Sequence, residues 1–368
     1  MTLRLRHLYN ARSVLPGNPI SLTSAEQRMV RASLLRWFAA HRRPLPLRVT
    51  CDPYRIWISE IMLQQTRVGA VLEHYAEFLR RFPDLNSLAA AGAHDVLAAW
   101  SGLGYYRRAR ALHRAARIIV RDHGGNLPGN AAALQSLPGI GRYTASAIAS
   151  IAFHEPCAVV DGNVERVLRR LLGWRKQPLS RIWNAAQQLL SRRSPGNFNQ
   201  AMMELGALVC LPVSPCCEVC PVRRQCATRG PLQRPARPPR RTAEITYGLA
   251  ARDGRVYLVR RGRRESLMPG MWELPQLPNG DCAGSGAGNG AANGAPHLPG
   301  VGRCGSGCGS LKPDFTLHHS ITVTDHTVHV WRVPAAGLRC GRWLPLQDAP
   351  ALPLTGLARR ILRRAALI

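Results

Sequence analysis

Between about residues 24 and 226, apolar positions recur three and four residues apart, the repeat of an amphipathic helix. The pattern predicts helices over residues 26–41, 56–81, 95–123 and 164–173, with Gly and Pro between them and no convincing alternating strand before residue 240. Beyond that point the period falls to two. Residues 246–251, 255–260 and 324–333 alternate or are rich in Val, Tyr and Thr, which predicts strands, and Asp253-Gly254 supplies a hairpin turn. The tail, 355–368, reads as a basic amphipathic helix.

Breaks in the pattern set the expected boundaries. Residues 1–24 contain Arg4, Arg6 and Arg12 and no acid, and read as a flexible leader, with a loose likeness to an organelle transit peptide. Residues 25–230 form the helical domain. Residues 231–241 (PLQRPARPPRR) carry four Pro and four Arg, as in an extended basic linker. Residues 242–368 form a second domain, interrupted at 279–310 by a Gly/Ala/Asn-rich stretch too poor in bulky side chains to pack.

Composition narrows the function. The 368 residues include 50 Lys plus Arg against 21 Asp plus Glu, a formal charge of +29. So large an excess implies a polyanionic partner, nucleic acid first, although with Lys176 and Lys312 the only lysines part of it reflects a general drift toward Arg. The chain has no apolar run of membrane-spanning length and no hydrophobic secretion signal. A monomer in bacterial cytoplasm or nucleoid is expected, or in an organelle or nucleus if the source is eukaryotic. The eleven cysteines are too sparse for a disulfide scaffold.

Four of them are clustered. Cys210, Cys217, Cys220 and Cys226 follow C-x6-C-x2-C-x5-C, which suits one metal centre, and the spacing alone admits either zinc or an iron–sulfur cluster. Cys216 reads as a bystander, and the C-x3-C of Cys304 and Cys308 as incidental. Arg223 and Arg224 would present cations on the same loop. A second signal is LPGIG at 137–141, where Gly139 and Gly141 leave backbone N–H groups open at a helix start. Such a turn either accepts a DNA phosphate or simply joins two helices. Asp161, after two valines and before a helix, has the ordinary reading of an N-cap.

The motifs SEIMLQQT (59–66), GLGYYRRAR (102–110), LPGIGRYTASAI (137–148), VVDGNVERVL (159–168) and NQAMMELGALVC (199–210), followed by the four-cysteine loop, resemble in content and order the helix-hairpin-helix DNA glycosylases, and specifically the MutY adenine glycosylases. The likeness is dense over residues 25–230 and weak over 242–368. It implies an all-α helix-hairpin-helix domain with a [4Fe–4S] loop, zinc being the lesser alternative, and a C-terminal α+β domain like MutT/Nudix proteins. It further implies removal of adenine opposite 8-oxoguanine or guanine in double-stranded DNA.

Residue by residue, the resemblance implies that Glu60 protonates adenine N7 and that Asp161 stays ionised against the developing oxocarbenium ion. Asn163 and Tyr143 position Asp161, sugar and water; Arg48 and Glu204 bind adenine. Gln65, Thr66, Leu103 and Tyr105 probe the lesion, Gly139 and Gly141 hold backbone phosphate, and Thr322 contacts the opposite base. Relatives that cleave the strand carry a Lys where this chain has Tyr143, so a monofunctional enzyme is expected rather than a Schiff-base lyase. Two departures stand out. LPLR (45–48) replaces the family's LPWR, and Ile321-Thr322-Val323 replaces its Phe-Ser-His. The rival readings are an endonuclease III-type glycosylase/lyase and a non-catalytic iron–sulfur DNA-binding protein. The MWELP motif (271–275) fits the MutT-like region, but the glutamate-rich helix of a Nudix hydrolase is missing, so pyrophosphatase activity is not expected.

Overall fold

A computed structural model describes residues 22–231, 240–262, 264–265, 268–277, 313–321, 323–334, 338 and 340–368. The leader through residue 21, linker residues 232–239, the insertion at 279–310 with Cys304 and Cys308, and Thr322 lie outside the described residues.

The helices are α1 (Ser24–His41), α2 (Pro53–Leu63), α3 (Val68–Arg81), α4 (Leu85–Ala90), α5 (Ala93–Ala99), α6 (Arg107–His123), α7 (Ala131–Gln135), α8 (Arg142–Ala152), α9 (Gly162–Leu171), α10 (Leu179–Leu189), α11 (Pro195–Leu208) and, near the end of the chain, α12 (Gly356–Arg364). The strands are β1 (Arg241–Leu249), β2 (Ala251–Arg252), β3 (Arg255–Arg260), β4 (Trp272–Glu273), β5 (Gln276–Leu277), β6 (Phe315–Ile321), β7 (Thr324–Arg332) and β8 (Gly341–Pro345). Among the described residues none of the strands precedes residue 241, and no helix is long and apolar enough to cross a membrane.

Two stretches that read as continuous helices are broken. The run 56–81 divides into α2 and α3 at Gln65, whose φ of 57° cannot continue a helix. The run 95–123 divides into α5 and α6, with Gly102, Gly104 and Tyr105 at φ of 110°, 70° and 49°. Helices on both sides of each break bury apolar stripes, so periodicity carries through and hides it. At Gly102 the φ of 110° favours glycine, and a Cβ would also press on the His74 ring, 2.7 Å from Nε2.

The chain groups into two compact units. One comprises Met1–Gln65 and Ile118–Pro235, the other Thr66–Arg117 and Ala236–Ile368. In the first, Thr23 and Glu26 form a capping box that starts α1, and Val30, Leu34 and Phe38, four residues apart, are buried in a core with Leu168, Trp183 and Phe198. Helix α2 is apolar on nearly every side. Eight of its eleven residues are buried, and Glu60 is its one buried charged side chain.

In the second unit, Phe78 on α3 meets Phe82 and Trp100 edge-on. The strands form two sheets. One has the order β5-β1-β7-β6, with β1 parallel to β7 and the other pairs antiparallel; the other joins β2-β3-β4, with β8 also on β3. Asp253 and Gly254, at φ of 47° and 67°, make the two-residue turn between β2 and β3. Both sheets and α12 contribute to a single core that includes Val256, Leu258, Val328, Val330 and Ile361. Strand β6 went unpredicted because His318, His319 and Ser320 dilute its apolar alternation.

Candidate active site

The first unit gathers most of the expected catalytic and adenine-binding residues around α2, α8, α9 and α11. Glu60 is 8% exposed, and burial pushes its carboxyl up to about 7. The Tyr143 hydroxyl, from the first turn of α8, donates to Glu60 Oε2 at 3.0 Å and opposes that rise; the charge of Asp161 adds to it, and Arg48 offsets part. Tyr143 also lies 3.4 Å from Met203 Sδ, and burial together with Glu60 and Asp161 raises its own pKa well above the phenol value. It is a neutral donor at any working pH.

Asp161 is the N-cap of α9: Oδ1 accepts from the Val164 N–H at 2.7 Å. The structural reading and the chemical one coexist, because Oδ2 faces elsewhere and accepts from Asn163 Nδ2 at 3.0 Å. Arg166 then donates to Asn163 Oδ1 at 2.7 Å, to the Gly206 carbonyl at 2.7 Å and to the Cys210 carbonyl at 2.8 Å. A side chain at Gly206 would collide with Asn163, its Cβ falling 2.6 Å from that of Asn163.

Glu204 is fully buried on α11, and both its oxygens are occupied. Oε1 accepts from Arg43 N (3.0 Å) and Nε (2.8 Å), and Oε2 from Nη2 of Arg43 (2.7 Å) and Nη2 of Arg48 (2.9 Å). Burial alone would raise its pKa, but the two guanidiniums win and hold it at about 2. With four donors on one carboxylate, Glu204 is a counter-ion that orients Arg48, itself an expected adenine-binding residue. Arg48 stacks over the Phe38 ring at 5.9 Å, and its buried Nη1 has no partner among the described residues. Arg43 and Arg166 were missed in the sequence, where each is one arginine among many. Leu47, in the position of the family's tryptophan, is buried.

The hairpin turn has Gly139 at φ 80°, which needs glycine, whereas Gly141 caps α8 with no side-chain partner and open space around its Cβ position. Four free thiols, Cys210, Cys217, Cys220 and Cys226, lie within electrostatic reach of one another; burial and the neighbouring thiols push Cys220 up to about 11. Arg170 Nη1 reaches Cys210 Sγ at 3.2 Å. Among the described residues no group of three or more His, Cys, Asp or Glu side chains is placed to hold a metal ion.

The remaining expected residues lie on turns. Gln65 ends the first unit. In the second, Thr66 and the 102–105 turn are tied by Arg108, whose Nη2 donates to Thr66 Oγ1 at 3.0 Å and to the carbonyls of Leu103 and Gly104, both at 3.3 Å. Tyr105 is 44% exposed, while Leu103 is buried.

Residues 58–192 match the family described as HhH-GPD superfamily base excision DNA repair protein. A thermostable thymine-DNA glycosylase of solved structure is 30% identical, with a TM-score of 0.53, over 56% of this chain and 97% of that one. The chain belongs to the HhH-GPD superfamily. Within it, adenine DNA glycosylases are similar: that of Mus musculus is 46% identical over 55% of this chain and 42% of its own length, and that of Homo sapiens 46% over 56% and 40%. The chain thus spans less than half the length of these two relatives.

Proposed function

We propose that the protein is a monofunctional DNA glycosylase that hydrolyses the N-glycosidic bond of adenine paired with 8-oxoguanine or guanine in duplex DNA. The observation that carries the reading is the pairing of two unlike carboxyls. Glu60 is buried and titrates near 7, so it holds a proton to give, while Asp161 stands within electrostatic reach on a helix start whose N–H groups favour an anion.

In the proposed reaction Glu60 gives its proton to adenine N7, the C1′–N9 bond breaks, and the electron pair leaves with the base. Asp161 balances the positive sugar, and water adds at C1′, its released proton restoring the Glu60 carboxyl, to leave an abasic site. Asn163 fixes Asp161 Oδ2, and the spare Nη1 of Arg48 is available to the extruded base. Tyr143 stands where a Schiff-base enzyme carries an amine, and Lys176, exposed between α9 and α10, is not among the site residues.

The uncapped N-terminus of α8 behind Gly141 supports a phosphate contact, since nothing in the packing demands glycine there. By resemblance Gln65, Thr66, Leu103 and Tyr105 enter the duplex at the lesion. The resemblance favours a [4Fe–4S] cluster over zinc at the four-thiol loop, and four free thiols within electrostatic reach of one another are the donor set such a group would take. When bound, it cross-links the loop after α11; Cys210, Cys217, Cys220 and Cys226 would hold it. The C-terminal sheets are read as the MutT/Nudix-like domain that recognises the opposite base. Val323 stands 65% exposed in the β6–β7 turn where the family has His.

The test is single-turnover base release from duplexes with adenine opposite 8-oxoguanine, guanine or thymine, each read with and without hot alkali. Product opposite the two purines, and only after alkali, is the expected result. Strand breaks without alkali would mean a lyase, and binding without release a non-catalytic protein.

A further inference from the structure

The 102–105 turn is held at both ends by one backbone carbonyl from the far end of the chain. Tyr106, 2% exposed, donates its hydroxyl to the Leu354 carbonyl at 2.9 Å, and Ser101 Oγ donates to the same oxygen at 3.2 Å. The network is complete: Arg359 Nε donates to Ser101 Oγ at 3.1 Å, and the Gly102 N–H to the Tyr106 oxygen at 3.4 Å. Each hydroxyl therefore gives one bond and receives one, the condition under which a buried polar network fixes one geometry. Arg110 adds a bond to the Pro269 carbonyl.

The acceptor is itself built into the second unit's sheet. Trp272 on β4 donates its N–H to the Pro353 carbonyl and accepts from the Thr355 N–H, both at 2.9 Å, so residues 353–355 run as an added strand beside the MWELP motif. Thr355 then caps α12, which carries Arg359. Between its two tethers Gly102 and Gly104 take positive φ freely, but Tyr105, at φ 49°, holds a left-handed conformation that a non-glycine keeps only where the surroundings over-determine it. The hydroxyls are not needed for packing: Tyr106 would be as buried as Phe.

We propose that Ser101, Tyr106 and Arg359 are positioning residues through which the C-terminal β domain sets the 102–105 turn, and so the placement of Leu103 and Tyr105 on the duplex. The C-terminal domain is then part of the extrusion apparatus as well as a reader of the opposite base. This rests on the glycosylase reading above.

The test places 2-aminopurine at the target position opposite 8-oxoguanine and follows its fluorescence as it leaves the stack. Adenine release, duplex affinity and melting temperature are measured in parallel. Tyr106→Phe and Arg359→Met, on opposite sides of the contact, should each lower extrusion and release by about five- to tenfold, with affinity held and the melting temperature lowered by no more than the few degrees that one buried hydrogen bond is worth. The double variant should be no worse than the poorer single one. Wild-type extrusion in Tyr106→Phe overturns the proposal, as do losses that multiply in the double variant. If Tyr106→Phe melts early, Ser101→Ala, which keeps the Tyr106–Leu354 bond, decides by the same readouts. A wild-type protein that releases no adenine from any duplex defeats the glycosylase reading instead, whereas normal release with unaffected variants defeats only this one.

Discussion

The Tyr143 hydroxyl donates to Oε2 of Glu60 at 3.0 Å, which leaves Oε1 as the oxygen that can carry the acidic proton. Burial supplies the rise in pKa, and the phenol limits it by favouring the carboxylate. Tyr143 thereby does two things at once: it tunes how readily the proton is held and it decides which side of the carboxyl offers it.

Activity should accordingly fall about tenfold per pH unit above roughly pH 7 in single-turnover base release, as Glu60 loses its proton. Tyr143→Phe removes the bond that stabilises the anion, so this limb should move up, by roughly one pH unit. Stability has the same origin. Glu60 titrates at about 7 in the folded chain against the ordinary 4.5, so its favourable contribution is complete below 4.5 and lost as pH rises through 7. Glu60→Gln should abolish base release yet leave the protein about 3 kcal/mol more stable than wild type at pH 8, with little difference near pH 4. Urea unfolding at both pH values checks it, and equal curves at pH 8 would sink the assignment.

Asp161 allows cap and charge to be separated. Asn accepts from the Val164 N–H as well as Asp does but turns its amide N–H₂ toward that of Asn163, so Asp161→Asn should keep the fold within about 1 kcal/mol and still lose base release. Asp161→Ala should lose release and, with the cap gone, about 1 kcal/mol besides. Duplex affinity should persist in both. Full turnover in Asp161→Asn would reduce this residue to a cap.

The legibility of the chain was uneven for physical reasons. Helix α1, strand β3 and the Asp253-Gly254 turn follow from local pattern, and their bounds came out close. The breaks at Gln65 and at 102–105 did not, because backbone conformation there is imposed by long-range contacts such as His74 with Ser101 and Tyr106 with Leu354. In the site, Glu60, Tyr143, Asp161 and Asn163 could be picked out because their motifs are long. The ion pairs of Glu204 could not: its two arginine partners lie some 160 positions away in sequence, and composition makes no arginine conspicuous in a chain so rich in them.

The four-cysteine loop makes a distinct prediction. Cys217→Ser or Cys220→Ser should remove broad visible absorption from the purified protein and lower its melting temperature, because the loop packs on the core of the first unit through Cys210, Cys220 and Cys226. Cys216→Ser, exposed beside the set, should change neither. Zinc with no iron in the wild-type protein would overturn the cluster assignment.

Glu204 should behave as the opposite of Glu60. Its carboxyl is held at about 2 by Arg43 and Arg48, so its contribution is present above 4.5 and lost as pH falls through 2, about 3 kcal/mol in all. Removing it is worse than removing a partner. Glu204→Leu leaves two guanidiniums facing a vacated anion site, one of them Arg48 with its Nη1 already unpaired, and should cost about 3 kcal/mol or more at pH 7. Arg43→Ala should cost less, since that side chain is 34% exposed and Arg48 still neutralises the carboxylate. If Glu204 served only to touch adenine, Glu204→Leu would melt like wild type and lose only substrate affinity. Thermal unfolding of the two variants at pH 7, beside wild type, separates a counter-ion from a ligand.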